Sequence, residues 1–358
     1  TNTTPIGAYR GAGRPEGNYF IERLIDTAAA ETGLDRVELR RRNHIRPADM
    51  PYKAPSGLTY DSGDFPAVLD RALQAADWDG FEKRRAESAA RGKLRGRGIG
   101  QYLEVTGPPA KEYGGIRFEA DGTVTMLSGT LDYGQGHASP FAQVLSEQTG
   151  LPFERLRLLQ GDSDQLKVGG GTGGSKSALV ASQAFLEAGD KLIEQGKQIA
   201  AHVMEASAAD IEFNRGRFTI AGTDRSIGIM DLADKLRGGL KLPADLPQSL
   251  DISHISDNPP FSFPNGCHVA EVEIDRETGV IEVERYFMVN DFGTVINPML
   301  VAGQAHGGVV QGIGQALMEH AIFDAQGQPV AGTFMDYALP RAADAPDFSI
   351  ENHSVPCK

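Results

Sequence analysis

"GGIRFEADGTVTMLS", residues 114–128, holds two short apolar runs separated by Ala120, Asp121, Gly122 and Thr123. An Asp-Gly pair between two such runs signals a tight turn, so the stretch reads as a hairpin with strands at 114–119 and 123–128. A second pair of runs, 266–275 and 280–290, meets across "RETG" (276–279) in the same way. Strands joined by turns this short run antiparallel, because a parallel connection needs a dozen or more residues to cross over. The expected fold is therefore α/β of the α+β type, with mixed, largely antiparallel sheets packed against helices. A regular doubly wound parallel sheet is not expected.

Helices flank these hairpins. Residues 14–33 start with Pro15 and stop at Gly33, and Phe20, Leu24 and Ala28 fall on one face at i, i+4 and i+8. Residues 35–43 read as a short helix capped by Asp35, and 65–92 as two more helices. Residues 137–150, about 174–207 and about 299–319 are further helical runs, and further strands are expected at about 97–105, 153–164 and 211–220. Residues 51–65 form a connection rich in Pro, Gly and Ser.

The 358 residues are 40% hydrophobic and 23% charged, ordinary for a globular protein. A net charge of −13 argues against nucleic acid and anionic membrane surfaces as partners. No apolar run approaches the length of a membrane span. Cys267 and Cys357 make neither a metal-ligand pair nor a disulfide framework, which suits a reducing, cytoplasmic setting. Glycine is abundant, 43 residues, and clustered.

The densest cluster is "KVGGGTGGSKS" (167–177). It approaches the G-x-x-x-x-G-K-[ST] phosphate loop, but Ser175 stands where the lysine belongs. Its backbone amides near Gly174, Ser175, Lys176 and Ser177, with the Thr172 hydroxyl, suit an anion at a helix start; a ligand-free glycine connection is the alternative. In "LDYGQGHASPF" (131–141), Gln135 lies between two glycines, and His137 opens a helix. A glutamine amide there reads a planar heterocycle or an oxo ligand, unless the segment is only a strand-to-helix turn. In "GAYRGAGRPEG" (7–17), Arg10 is either an exposed loop arginine or a fork for an oxo group or phosphate. Gln304, Gln311 and Gln315 share one face of the last helix. Gly307, Gly308, Gly312 and Gly314 in the same helix each cost about 1 kcal/mol against Ala, so close packing or a ligand against the backbone is expected there.

Together, "YRGAGRPEGNYFIERLID", "PSGLTYDSGDF", "GQGH", "GDSD", "GGGTGGSKS", "VNDFGTVINPMLVAGQAHGGVVQGIGQAL" and "MDYALPRA" resemble, in order, the molybdenum-binding large subunit of the xanthine dehydrogenase and aldehyde oxidase family. The branch they are most similar to includes bacterial carbon monoxide dehydrogenase-type large subunits. The resemblance implies water-dependent hydroxylation of an aldehyde or N-heterocycle. The cofactor it implies is molybdopterin, in its cytosine dinucleotide form, with the metal held by the pterin and not by side chains. The implied partners are iron–sulfur and FAD subunits or domains and a small-molecule substrate, and a homodimer stays open.

The resemblance places Arg10 beside the metal and assigns Gln135, Gly136, His137, Thr172, Gly173, Gly174, Ser175, Ser177, Gln183 and Gln311 to the cofactor. Ala12, Val105 and Thr106 fall at the substrate pocket. Ala12 stands where purine-oxidising members carry an aromatic, so purine stacking is not expected. "RGAGR" has no cysteine for copper, so carbon monoxide chemistry is not expected either. The family's general-base glutamate has no counterpart in 1–358. By this resemblance, 1–77 is the end of a first molybdopterin-binding domain and 78–358 a truncated second one, a fragment expected to be inactive alone with its cofactor site empty. A non-catalytic cofactor- or partner-binding module is the alternative.

Overall fold

The computed structural model describes residues 5, 7–107, 110–257 and 259–358. Helices α1 (Arg14–Thr32) and α2 (Arg36–Asn43) lead into the small pair β1 (Tyr52–Lys53) and β2 (Thr59–Tyr60). Helices α3 (Phe65–Ala75) and α4 (Phe81–Ala90) precede β3 (Lys93–Leu103), β4 (Glu112–Phe118) and β5 (Val124–Ser128). Then come α5 (Ala138–Thr149), β6 (Leu156–Leu159) and the long α6 (Ser177–Met204). Strands β7 (Ile211–Asn214), β8 (Arg217–Ile220) and β9 (Ser226–Gly228), helix α7 (Ile229–Arg237) and β10 (Ile252–Ser256) follow. The chain continues through β11 (Asn265–Asp275), β12 (Ile281–Asp291), α8 (Pro298–Leu317) and β13 (Phe348–Asn352).

These elements form two compact units, 1–105 with 262–358, and 106–261.

In the first unit, β11 pairs antiparallel with β12 and with β3, and β13 joins β12 in parallel, giving the order β13-β12-β11-β3. The period-two pleat splits neighbouring residues between faces. Val289 packs with Cys267, Val269 and the α3 residues Val68, Leu69 and Ala72, while Met288 packs with Val309 and Ile313 of α8. The sheet is thus covered by α3 on one face and α8 on the other. Asp35 caps α2, accepting from the amides of Val37 and Glu38 at 2.9 Å.

The face of α1 expected to be apolar and buried is instead open: Phe20 is 64% and Leu24 63% exposed. The helix docks through its acidic side. Buried Arg40 of α2 donates from Nε to Glu22 at 3.0 Å and from Nη2 to Asp26 at 3.0 Å.

In the second unit the order is β10-β4-β5-β6, antiparallel except for β5 with β6, which are joined through α5. The turn at Asp121 and Gly122 forms as expected, with Gly122 at φ 82°. Helices α5 and α6 pack into the main core with Ile116, Met126, Phe141, Leu145 and Phe185. Two glycines allow α6 to approach closely. A Cβ at Gly114 would lie 2.5 Å from the Ala184 carbonyl oxygen, and one at Gly196 2.3 Å from the Phe218 ring.

Two expected strands differ. Residues 211–220 form a hairpin, because Arg215 (φ 45°) and Gly216 (φ 78°) turn the chain. Residues 153–164 yield only β6, because Gly161 (φ 74°) and the Asp162 carboxylate, which accepts from the Asp164 amide, end it. No helix among the described residues is long and apolar enough to cross a membrane.

Candidate functional site

Two loops of the second unit meet at their roots. Gly171 donates its amide to the Gly129 carbonyl at 3.2 Å, and Leu131 donates to the Thr172 hydroxyl at 3.2 Å. The Thr172 hydroxyl also bonds Ser177 Oγ at 2.8 Å. The Gly174 carbonyl accepts from the Gly107 amide at 2.8 Å, beside buried Thr106.

Beyond Thr172 the glycine loop is bare among the described residues: Gly173, Gly174 and Ser175 are exposed, and a Cβ at Gly173 would meet nothing of the described chain within 4 Å. Ser175 is held at φ 57°, a left-handed conformation that costs a side-chain-bearing residue on the order of 1 kcal/mol. The loop delivers the chain to the N-terminus of the 28-residue α6, which has no side-chain cap among the described residues. Its first amides are therefore the unsatisfied donors of a long helix dipole, an arrangement suited to an anion.

The 131–137 loop is built around a residue the sequence reading passed over. Asp132 Oδ1 accepts from the amides of Gly134 (2.7 Å), Gln135 (2.7 Å) and Gly136 (3.2 Å), and Oδ2 from that of His137 (2.7 Å). Burial pushes the Asp132 pKa up, but these amides, His137's foremost, hold it below the ordinary value. The Asp-x-Gly-x-Gly run at 132–136 was the available signal, since glycines let successive amides converge on one carboxylate.

The Gln135 side-chain oxygen accepts from the Tyr133 amide, which leaves the Gln135 NH₂ as the group the loop presents. His137 is buried, its ring tilted against that of Phe141 at 5.0 Å, with Nδ1 3.3 Å from Gln160 Nε2. Burial lowers its pKa, against the opposing pull of Asp132 and Gln160, so at neutral pH it serves as a neutral support of the loop. Gln183 lies two turns into α6 and donates to Glu187 Oε1 at 2.8 Å; Glu187 in turn bonds His254.

The first unit brings Arg10 and Gln311 together. Arg10 Nη1 donates to Gln311 Oε1 at 3.2 Å, and the Tyr9 hydroxyl donates to the same oxygen at 3.0 Å. The arginine is carried on a tight turn in which Gly11, Ala12 and Gly13 all have positive φ (87°, 49° and 89°). Ala12 sits at the tip of that turn, and its amide bonds the Tyr9 carbonyl at 2.6 Å. Val105 is half-buried beside Glu104, whose carboxylate accepts its amide at 2.9 Å and pairs with Arg14 at 3.1 Å.

Helix α8, capped by Asn297, buries Val309 and Ile313 and leaves Gln304 and Gln315 exposed. Packing explains only one of its glycines. Gly314 is crowded by Glu319 and Pro340, whereas a Cβ at Gly307, Gly308 or Gly312 would meet nothing within 4 Å of the described chain.

Residues 71–346 match a family model described as a molybdopterin cofactor-binding domain, and residues 1–44 match a second model of the same description. The carbon monoxide dehydrogenase large chain of Hydrogenophaga pseudoflava is 35% identical over 99% of this chain and 46% of its own length. The nicotine 6-hydroxylase large subunit of Paenarthrobacter nicotinovorans is 33% identical over 99% of this chain and 45% of its own. Quinoline 2-oxidoreductase from Pseudomonas putida 86 superposes with a TM-score of 0.90 at 33% identity, covering 99% of this chain and 47% of that one. The chain spans about half the length of the curated relatives it matches.

Proposed function

The chain belongs to the molybdopterin cofactor-binding family of molybdenum hydroxylase large subunits, and from that premise we propose that it forms part of a water-dependent hydroxylase of an aldehyde or N-heterocycle. The observation that carries this reading is the bare glycine loop 171–175 ending on the uncapped N-terminus of α6, inside the matched region. The residues fit the cofactor. A pterin dinucleotide offers phosphates and a planar heterocycle. The α6 amides with Thr172, Gly173, Gly174, Ser175 and Ser177 would take the former, and the Gln135 NH₂ beside Gly136 and His137 the latter. Gln183 would act from α6, and Arg10 and Gln311 would contribute from their own unit. When bound, the cofactor supplies the oxidation chemistry by which a water-derived oxygen enters the substrate.

We take the cofactor to be the cytosine dinucleotide form and the electron acceptors to be iron–sulfur and FAD subunits. Residues 1–77 and 78–358 are read as parts of two family domains. Two relatives are named for nicotine and quinoline, which supports a planar N-heterocycle as the substrate class. Ala12, Val105 and Thr106 are the candidate pocket residues, and no residue of 1–358 is assigned as proton acceptor.

Molybdenum and extractable pterin, measured per chain in the purified protein that carries this sequence, test the reading; absence of both overturns it. Gln135→Ala should lower pterin occupancy by the equivalent of about 1–3 kcal/mol, because a buried ligand group loses its partner. Full occupancy in the variant would remove Gln135 from the site. Arg10→Lys should lower turnover without shifting the melting temperature. The guanidinium bonds Gln311 with one nitrogen and keeps others for a ligand oxygen, which an ammonium cannot reproduce in a plane. Unchanged turnover would remove Arg10.

A further inference from the structure

Glu112 opens β4 and is 3% exposed. It belongs to none of the loops just described, yet one of its oxygens sits beneath the point where they cross. Oε1 accepts from the Gly129 amide at 2.6 Å, the Tyr113 amide at 2.9 Å and the Ser128 hydroxyl at 3.3 Å. Gly129 is the crossing point. A Cβ there would lie 2.3 Å from the Val168 carbonyl oxygen, 2.5 Å from the Gly169 Cα and 3.0 Å from Glu112 Oε1. The Gly129 carbonyl in turn receives the Gly171 amide. One backbone residue is therefore gripped by Glu112 through its N–H and by the glycine loop through its C=O.

The same carboxylate reaches the other loop by hydroxyls. Ser128 Oγ bonds Thr130 Oγ1 at 2.9 Å, Thr130 Oγ1 accepts from Gln160 Nε2 at 2.7 Å, and Gln160 faces His137. Thr130 and Ser128 are fully buried, so no water competes for these bonds. Burial raises the Glu112 pKa, against its amide and hydroxyl donors and the charge of Lys176.

We propose that Glu112 is a positioning residue for the cofactor: its buried oxygen clamps Gly129 and so fixes the spacing between the 131–137 loop and the glycine loop. The proposal rests on the cofactor reading given above. The clamp needs an acceptor at that position and does not need a charge, so an amide oxygen should serve.

The test compares the wild-type full-length protein with Glu112→Gln and Glu112→Ala. Tryptic cleavage at Lys167 and Lys176 reads the glycine loop, cleavage at Lys191 and Lys197 reads the body of α6, and extracted pterin reads occupancy. In Glu112→Ala, loop cleavage should rise about tenfold or more and pterin should fall to the same degree, because three buried donors lose their acceptor. Cleavage at Lys191 and Lys197 should stay near wild type, and Glu112→Gln should restore both loop protection and pterin. Three results would overturn the proposal: unchanged loop cleavage in Glu112→Ala, equal acceleration at Lys191 and Lys197, or a glutamine variant no better than alanine. If the wild type holds no pterin, the cofactor reading fails on its own, while the cleavage arms still decide the clamp.

Discussion

Replacing Phe185 with alanine is expected to destabilise the 106–261 unit by about 3–5 kcal/mol, the range for deleting a fully buried aromatic ring. Phe185 is 0% exposed on α6, with its ring 5.7 Å from that of Phe141 on α5. It sits in the core that joins both helices to the sheet, next to the point where Gly114 and Ala184 let α6 and β4 nearly touch. That closeness leaves no slack for neighbours to collapse into the cavity, which places the cost toward the upper part of the range. Leu186, one residue on, is 42% exposed, and Leu186→Ala should change stability by no more than about 0.5 kcal/mol. Urea unfolding of the two variants measures both, with the slope unchanged. A loss below about 1 kcal/mol for Phe185→Ala would mean that this contact is not what holds α6 down. The consequence reaches the site, because α6 carries the glycine loop at its N-terminus and a loosened helix cannot present its first amides in a fixed place.

What the sequence made legible was mostly local. The Asp121-Gly122 turn, the "RETG" turn, the Asp35 cap and the stops at Gly33 and Gly150 each depend on a few adjacent residues, and each lies where it was expected. Strands β10 and β13 were not anticipated because their pairing is remote. "ISHIS" at 252–256 finds its partner in β4, and residues 348–352 join β12 in parallel after a helix and a long irregular stretch. No turn signal marks such strands, and five residues are too few for periodicity to show them.

The apolar spacing of Phe20, Leu24 and Ala28 was real, but which side of α1 is buried depended on Arg40, a charged residue on another helix. The candidate site residues of the two units divide the same way. The glycine loop, Gln135 and Arg10 stand out because bare backbone and isolated polar groups are unusual in sequence. Asp132 and Glu112 do not, because an acidic residue in a polar loop or at a strand start looks solvated until its amide donors are seen.

A buried charge network should give the other large effect. Arg95 on β3, with its side chain 7% exposed, donates from Nε to Glu271 at 3.0 Å and from Nη1 to Glu273 at 3.0 Å. The two glutamates, 1% and 2% exposed, lie on the same face of β11, two residues apart. Arg84 and Arg285 also serve Glu271, and Ser88, Arg91 and Lys93 serve Glu273. Removing one partner of a buried pair leaves a charge that water cannot reach, typically costing about 3–5 kcal/mol. The remaining partners soften this, so Arg95→Met should cost about 3 kcal/mol at neutral pH.

The cost should also depend on pH. Burial would raise the Glu273 pKa, but Ser88, Arg91 and Lys93 lower it from an ordinary 4.5 to about 2. A carboxylate depressed in this way adds stability that is full above its ordinary value and fades as pH falls from there towards about 2. Arg95 is a further cation 3.0 Å from the same carboxylate oxygen, so without it part of that stabilisation should disappear at neutral pH. The gap between Arg95→Met and wild type should therefore be widest at pH 7 and smaller at pH 3, part-way between 4.5 and about 2, where part of the ionised carboxylate's stabilisation has already faded. Urea midpoints at the two pH values measure it. A gap of equal size at both would mean that Arg95 acts by packing its stem rather than by pairing the two buried glutamates.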